Sequence, residues 1–235
     1  MYSTPLDSPL TGGIIVWGEG SVIISYWEKE TEVMAKIDVK KQMADLYAPG
    51  AKAIQIVDVP EMNFVVIDGK GSPDDPAYAE AIGVLYAISY TLKFMIKKTG
   101  GTDYGVMPLE GLWWADDMKD FTEHNKKNWQ WTALIMQPEY VTEELFREAV
   151  DKVKAAKNPP GLGKARFEPF KEGLSAQIMY IGPYSEEGPV IQTIHKFIQE
   201  KGYSLSGKHH EIYLSDPRRT APEKLKTIIR QPMVK

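Results

Sequence analysis

Residues 104–117 read YGVMPLEGLWWADD, and residues 129–138 read WQWTALIMQP. The two segments hold four of the six tryptophans of the chain, and Glu110 lies among them. Because side chains alternate between the two faces of a strand, Glu110 and Trp114 are expected on one face of the first segment. The tryptophans of the second segment, two positions apart, likewise share a face. The segments therefore predict two neighbouring strands that bring a carboxylate close to indole rings.

Two interpretations of this aromatic and acidic cluster stay open. The cluster suits a binding site for a flat, partly apolar, cationic small molecule, because the rings supply contact area and a negative π-face while the carboxylate supplies charge. Alternatively, the tryptophans form the core of a sheet and Glu110 is an ordinary surface residue. The residues of the cluster favour neither interpretation over the other.

Length, composition and charge narrow the class of protein. With 235 residues, 43% of them hydrophobic, the chain can bury one large core or the cores of two fused small domains. The net charge of -4 gives no broad attraction to nucleic acid, and clusters of Lys and Arg are short. No apolar run approaches the roughly 18 residues of a membrane span, and the N-terminus lacks a signal-peptide pattern. We therefore expect a soluble cytoplasmic protein whose partners include neither nucleic acid nor a membrane.

Residues 1–33 differ from the rest of the chain. Glycines and prolines interrupt two short apolar runs in this segment, Ile14–Trp17 and Val22–Trp27. A small hairpin of this kind has little core to cover it, so we expect a peripheral extension. Two explanations stay open: the segment lies upstream of the true start of the protein, or it is a real N-terminal hairpin. Residues 34–235 are expected to form the main domain.

The most regular helical pattern covers Ala77–Lys98. Its apolar positions recur with a 3.6-residue period, and the lysines and the glycine at its end are typical C-terminal signals. Beside the apolar stripe run Tyr86, Tyr90 and Phe94 at four-residue spacing. This spacing places the three rings along one edge of the helix, where they are expected to meet a ligand or a neighbouring module.

Further elements lie on both sides of this helix. Residues 51–70 predict strand structure, and Thr142 is a favourable N-cap for an amphipathic helix that runs to Lys157. The later predicted elements are a linker at 158–163, a strand at 166–184, a helix at about 186–200 capped by Ser185, and strands at 208–214 and 225–230.

The two halves of the chain repeat one order of elements. Each half reads strand, helix, strand, strand, and Glu110 precedes an aromatic strand as Glu211 does. We interpret the halves as a duplicated module, with module one at about 51–138, a connecting helix and linker at 142–163, and module two at about 166–232. Two such modules predict an α+β fold with one mainly antiparallel sheet, helices on one face and a ligand cleft on the other. The seam between the two modules is the alternative place for a ligand. A chance match of so short a repeat is the alternative.

Four separated motifs carry a resemblance to a known family. They are FVVIDGKG at 64–71, YTLKF at 90–94, MPLEGLWWAD at 107–116 and HHEIYLSDP at 209–217. In this order they resemble the GyrI-like small-molecule-binding family, over roughly residues 36–235. The resemblance implies an α+β fold of two strand-helix-strand-strand modules, a ligand cleft in the combined sheet, and an acidic residue at the position of Glu211.

The family has binding and catalytic members. It includes drug-sensing domains of transcription regulators, which bind flat cationic compounds. A stand-alone subfamily, to which this sequence is more similar, hydrolyses the cyclopropane of DNA-alkylating natural products held in an aromatic cage. The resemblance implies a protein that binds flat, lipophilic or cationic xenobiotics, and the sequence leaves open whether it hydrolyses electrophilic ones. The alternative is a module that sequesters or senses drugs without turnover, although no basic helix-turn-helix precedes the domain.

Candidate site residues follow from the chemistry of such a reaction. Hydrolysis of a strained electrophilic carbon needs a positioned water, a base and an apolar wall. The candidate bases are Glu211 and Glu110. A carboxylate walled by aromatic rings is desolvated, so its pKa is expected to rise toward neutrality. The candidate ligand-binding residues are Trp113, Trp114, Trp131, Tyr86, Tyr90, Tyr180 and Tyr213.

Metal and cofactor chemistry is weakly signalled. The chain has no cysteine, and His209 and Glu211 share a strand face without a third ligand. His195 is expected to be a packed helix residue and not an axial haem ligand. No serine stands in a Gly-x-Ser-x-Gly setting. We therefore expect no metal and no cofactor, while the oligomeric state and the physiological ligand cannot be read from the sequence.

Overall fold

The computed structural model describes residues 37–117 and 125–235. The predicted N-terminal extension, residues 1–33, lies outside the described residues. The helices are α1 (Val39–Gln42), α2 (Ala44–Tyr47), α3 (Pro76–Lys98), α4 (Glu143–Ala156) and α5 (Gly188–Glu200). The strands are β1 (Gln55–Lys70), β2 (Leu109–Trp114), β3 (Gln130–Gln137), β4 (Arg166–Ile181), β5 (Ser204–Leu205), β6 (His209–Tyr213) and β7 (Lys226–Val234).

The strands form one antiparallel sheet in the order β4-β1-β3-β2-β6-β7-β5. The long strand β4 pairs with β1 through residues 166–177 and with β7 through residues 175–181. The sheet therefore closes on itself through β4, with the short strand β5 outside the ring. The predicted α+β fold with one mainly antiparallel sheet is confirmed. The closure was not predicted, because it depends on pairing between strands far apart in the sequence.

The order strand, helix, strand, strand occurs twice, as β1-α3-β2-β3 and as β4-α5-β6-β7. The two sets meet at β2 and β6, where Gly111 pairs with Glu211 at the centre. An approximate twofold axis through this pair relates residues 100 positions apart, so Glu211 corresponds to Gly111 and His210 corresponds to Glu110. The sequence interpretation had matched Glu110 with Glu211. That offset of one residue changes the sheet face on which a side chain lies.

The helix ends follow local chemistry. Pro76 stands at the start of α3, and Thr142 caps α4 by accepting a hydrogen bond from the backbone nitrogen of Leu145. The third predicted helix begins later than expected, at Gly188, and Ser185 belongs to a 3-10 turn at 184–186. The proline at the second position of α5 explains this start, because its fixed φ and missing N–H suit the first turn of a helix.

Helices α3 and α5 pack on the sheet face that carries Glu211. Tyr78 of α3 contacts Trp113 of β2, with ring centroids 5.1 Å apart. Ile194 of α5 is fully buried in a cluster with Ile229 of β7, which lies opposite Glu211. Among the described residues, α3 is the one helix long and apolar enough to span a membrane by length and composition. Its buried side chains belong to the hydrophobic core of the described residues.

Candidate functional site

A groove lies between α3 and α5 above the seam of β2 and β6. Its volume is about 2400 Å³. The principal side chains that line it are Tyr78, Ile82, Tyr86, Tyr90, Trp113, Trp114, Trp129, Tyr184, Glu187, Ile191, His195, His209, Glu211 and Tyr213. The groove lies over the seam, one of the two places that the sequence predicted, but it opens on the face that carries both helices and not on the opposite face. The difference arises because closure of the sheet turns that opposite face inward, where core side chains fill it.

The side of the groove built by module one is aromatic, with Trp113 at its centre. The ring of Trp113 packs against Tyr78 and, with centroids 6.0 Å apart, against Trp129. Its indole nitrogen donates a hydrogen bond of 3.0 Å to the hydroxyl of Tyr213 across the seam. Gly111 makes this contact possible, because a Cβ there would lie 2.7 Å from Nε1 of Trp113. The result is an aromatic wall beside the seam, in which the rings of Tyr78 and Trp129 are inclined to that of Trp113 by 51° and 70°.

Tyr86 and Tyr90 extend this wall along α3. Their ring centroids lie 6.1 Å apart, and the ring of Phe94 follows 6.4 Å beyond Tyr90. Both Tyr90 and Phe94 are exposed. The row of rings therefore leads from the groove to the protein surface, and two of its members are among the groove-lining side chains.

The side built by module two is ionisable. Glu211 and His209 face the groove from β6, and Oε1 of Glu211 lies 3.1 Å from Nε2 of His209. Glu187, just before α5, and His195, about two turns along it, complete this side. Glu187 is only 3% exposed. Within residues 37–117 and 125–235, no group of three His, Cys, Asp or Glu side chains is placed to hold a metal ion.

Burial and charge set the protonation states on this side. Burial first, and the charge of Glu211 second, raise the pKa of Glu187 to about 9. Glu187 therefore keeps its proton at neutral pH and can donate it. Burial and the same charge raise the pKa of Tyr213 well above its ordinary value, so its hydroxyl stays protonated. A neutral carboxylic acid beside a second carboxyl group is a typical acid–base arrangement.

Glu110, the other candidate base, lies on the inward face of the sheet and is fully buried. Tyr47 of α2 donates a 2.8 Å hydrogen bond to Oε1 of Glu110, and Nε2 of His210 lies 3.0 Å from its Oε2. His210 also contacts Glu172, which pairs with Arg230 at 3.0 Å. Burial alone lowers the pKa of His210, but the Glu172 and Glu110 carboxylates raise it to about 9. The network joins α2 to both modules and contributes no side chain to the groove.

Three predicted ligand-binding residues have positions that differ from the rest. Trp131 is buried beneath Tyr78, with centroids 5.0 Å apart, and does not line the groove. Tyr180 does not line it either, since its hydroxyl donates to the backbone oxygen of Pro183 at 3.0 Å. Trp114 lines the groove, but Nζ of Lys208 lies over its ring, 3.3 Å from the centroid. Glu211, Trp113, Tyr86, Tyr90 and Tyr213 are brought together in the groove.

Sequence reasoning missed several groove residues. They are Tyr78, Trp129, Tyr184 and Glu187, and His195 was assigned to helix packing. Tyr78 was counted in the apolar stripe of its helix, which does not distinguish packing from ligand contact. For Glu187 a signal existed: Pro189 marks the first turn of α5, which places Glu187 at the helix boundary instead of on its exposed side.

Comparisons with known proteins identify the family and the fold. The sequence model of the family described as the GyrI-like small molecule binding domain matches residues 52–233 of this chain. An uncharacterized conserved protein from Listeria innocua is 40% identical with a TM-score of 0.77, and the alignment covers 84% of this chain and 100% of that chain. A hydrolase from Listeria innocua is 40% identical with a TM-score of 0.74 and the same coverage. The C-terminal domain of EcmrR shares the fold, at 14% identity and a TM-score of 0.50 over 78% of this chain and 98% of that chain. No curated protein matches the chain.

Proposed function

Because the chain belongs to the GyrI-like small molecule binding domain family, we propose that its groove binds flat, lipophilic or cationic xenobiotics and hydrolyses electrophilic ones that carry a cyclopropane. Small-molecule binding is the property of the family. The ligand class and the cyclopropane chemistry are what the family resemblance implies, and the side chains of the groove supply the aromatic and ionisable groups that they require.

One observation carries the binding proposal: Glu211 faces the groove from the seam strand whose neighbour supplies the aromatic wall. The carboxyl group of Glu211 is mostly buried, with 16% of the side chain exposed. Tyr86 and Tyr90, which are less buried than Trp113 and Tyr78, offer rings to a flat ligand, and the carboxylate offers charge to a cation. A flat cation satisfies both features at once, whereas a neutral ring uses only the aromatic wall.

The catalytic proposal adds the proton carried by Glu187. Glu211 takes a proton from a water molecule while the water oxygen forms a bond to the strained carbon. The cyclopropane C–C bond breaks, and its electron pair passes into the conjugated ring system of the ligand, whose carbonyl oxygen takes the proton of Glu187. Glu211 ends protonated and Glu187 ends ionised, so a proton transfer between them restores the site.

The test is Glu211→Gln, which keeps the shape of the side chain and removes its charge and basicity. Turnover of a cyclopropane-bearing alkylator, followed as the gain of one water in product mass, should fall roughly a hundredfold or more. Affinity for an aromatic cation should fall about tenfold to a hundredfold, while a neutral aromatic ligand binds nearly as before. The matched control is Glu186→Gln, because Glu186 is exposed one residue before Glu187. Unchanged turnover and unchanged cation affinity in Glu211→Gln would overturn the proposal.

One observation favours the alternative of sequestration without turnover. The rim of the groove is open, since Tyr90 is 48% exposed and Tyr184 is 38% exposed. Hydrolases of reactive compounds gain from excluding bulk water, whereas a sequestering protein needs only affinity. Saturable quenching of tryptophan fluorescence by a cyclopropane-bearing alkylator whose mass then stays unchanged would favour sequestration.

A further inference from the structure

A lysine of the chain covers one aromatic ring of the groove. Nζ of Lys208 lies 3.3 Å from the centroid of the Trp114 ring. This is the shortest distance between an ammonium and a ring centre among the described residues, where the other such distances are 4.0 to 5.9 Å. Both side chains line the groove and both are half-buried, so each keeps surface that a ligand can reach. The face of Trp114 is therefore in contact with a cation that belongs to the protein itself.

The pair of Lys208 and Trp114 stands at one end of the seam. Trp113 and His209 occupy the last paired position of β2 and β6, and Trp114 and Lys208 are the next residues outward. Alternation along the strands gives these two residues the parity of Glu110, which faces inward, but β2 ends at Trp114 and β6 begins only at His209. At this end of the strands both side chains reach the groove. A ligand that extends toward this end of the groove therefore meets Lys208 and Trp114 together.

The charge of Lys208 is stabilised by the ring and not by an ion pair. In the described part of the chain no carboxylate oxygen lies within ion-pair distance of its ammonium, whereas Lys93, which also lies over a ring, pairs with Asp103 at 3.5 Å. Burial lowers the pKa of Lys208, and the charge of Asp68 raises it. The negative π-face of Trp114 likewise favours the ammonium, and it does so more strongly where water is partly removed. Lys208 is therefore a built-in cation on an aromatic face.

We infer that Lys208 determines which flat ligands use this end of the groove: it keeps cations off the Trp114 ring and favours ligands that present an oxygen acceptor there. The inference rests on the proposed binding function and names a specificity-determining residue within it. A cationic ligand reaches the ring only by displacing the ammonium, and like charges repel. A carbonyl oxygen can instead accept a hydrogen bond from the ammonium, which has three N–H donors. The groove then combines two preferences, because Glu211 attracts positive charge and Lys208 attracts oxygen acceptors.

The test compares two ligands with one tricyclic frame: proflavine, which is a flat cation, and acridone, which is neutral and carries a carbonyl oxygen. Dissociation constants are measured by fluorescence titration of the full chain at neutral pH. In Lys208→Met proflavine should bind severalfold more tightly and acridone severalfold more weakly, so the ratio of the two constants should change by about tenfold. Lys208→Arg keeps a cation and its donors at the ring and should keep the wild-type ratio.

Lys201→Met is the matched control. Lys201 also lies over a ring, 5.5 Å from the centroid of Phe197, but it does not line the groove. The change removes the same positive charge from module two. A ratio that moves equally in Lys201→Met and Lys208→Met would therefore reflect net charge alone and would overturn the inference. In a double variant that adds Trp114→Leu to Lys208→Met, the gain in proflavine affinity should vanish, because no indole ring is left to uncover.

The outcomes separate the inference from the proposed function. A ratio of dissociation constants that stays at its wild-type value in Lys208→Met overturns the inference, while the binding of flat ligands by the groove stands. Failure of both ligands to bind the wild-type chain overturns the proposed ligand class and the inference with it. If the variant with Trp114→Leu does not fold, by circular dichroism, the comparison of Lys208→Met with Lys208→Arg and Lys201→Met decides the question.

Discussion

The two modules occupy equivalent positions and contribute opposite chemistry. Across the approximate twofold axis Gly111 corresponds to Glu211, and Trp113 corresponds to Tyr213. The helices show the same contrast, because α3 lines the groove with Tyr78, Ile82 and Tyr86. On the other side Glu187, the residue before α5, and Ile191 and His195 of α5 line it at the same four-residue spacing. The two modules thus share one symmetric frame, in which one wall is aromatic and the other is ionisable.

The contrast predicts that neutralising Glu110 and neutralising Glu211 lower the free energy of unfolding by different amounts. Glu110→Gln leaves His210 with one carboxylate fewer in a fully buried network, so the free energy of unfolding should fall by about 3 to 5 kcal/mol. Glu211→Gln, the matched change on the groove side, should cost less, because 16% of the Glu211 side chain is exposed whereas none of the Glu110 side chain is. Urea denaturation of both variants measures the difference. Equal losses of stability would remove the distinction between a structural and a functional glutamate.

The buried network should also make stability depend on pH. The pKa of His210 rises from 6.5 to about 9 on folding, so its contribution is fully present below pH 6.5 and is lost as the pH rises through about 9. The loss should reach up to about 3 kcal/mol over this range. Glu187 also makes stability fall over this pH range, because its pKa is likewise about 9 in the folded protein. The unfolding measurement is therefore made in the Glu187→Gln variant, where His210 is the remaining cause. Urea midpoints that stay constant between pH 6.5 and 9 would contradict the role of His210.

Gly111 should be intolerant of the smallest side chain. In Gly111→Ala the new Cβ would lie 2.7 Å from Nε1 of Trp113 and 3.1 Å from the hydroxyl of Tyr213. Displacement of these groups should lower the free energy of unfolding by about 1 to 3 kcal/mol and weaken cation binding about tenfold. Gly163→Ala is the control, because a Cβ there meets nothing within 4 Å. Wild-type affinity in Gly111→Ala would show that the aromatic wall need not hold this geometry.

Tyr180 should show the smallest effect. Tyr180→Phe removes one hydrogen bond to Pro183, so stability should fall by about 0.5 to 1.5 kcal/mol while ligand affinity is unchanged. Tyr213→Phe, by contrast, removes the acceptor of Trp113 and should weaken binding severalfold. Isothermal titration with proflavine, a flat aromatic cation, compares the ligand affinities of the Tyr180→Phe and Tyr213→Phe variants. A loss of affinity in Tyr180→Phe would show that Tyr180 belongs to the binding site, as the sequence analysis predicts.

Local patterns in the sequence predicted the elements well. The 3.6-residue period located α3, and the capping residue Thr142 located the start of α4, because both depend on neighbours along the chain. Glu211 was located differently, through the family motif at 209–217 and not through local periodicity. The structure has Glu211 on the strand His209–Tyr213, at the seam.

The face of each glutamate could not be predicted in this way. The repeat was aligned with Glu110 opposite Glu211, and the sheet pairs Gly111 with Glu211 instead. A shift of one residue along a strand leaves the hydrophobic pattern almost unaltered and exchanges the two faces. Similarly, the burial of Glu187 depends on where α5 begins, and the helix begins at Gly188 and not at the predicted position of about 186.

Closure of the sheet has a kinetic consequence. β1 pairs with β4, which lies about a hundred positions later in the chain. The pairing of β7 with β4 then completes the ring. Folding that depends on contacts between such distant segments is slow, because a long loop must be ordered before any pairing stabilises it. During synthesis β1 and β3 can pair early, but the ring stays open until the last strand has emerged. We therefore expect a nascent chain that lacks β7 to expose the inward face of the sheet and to recruit chaperones.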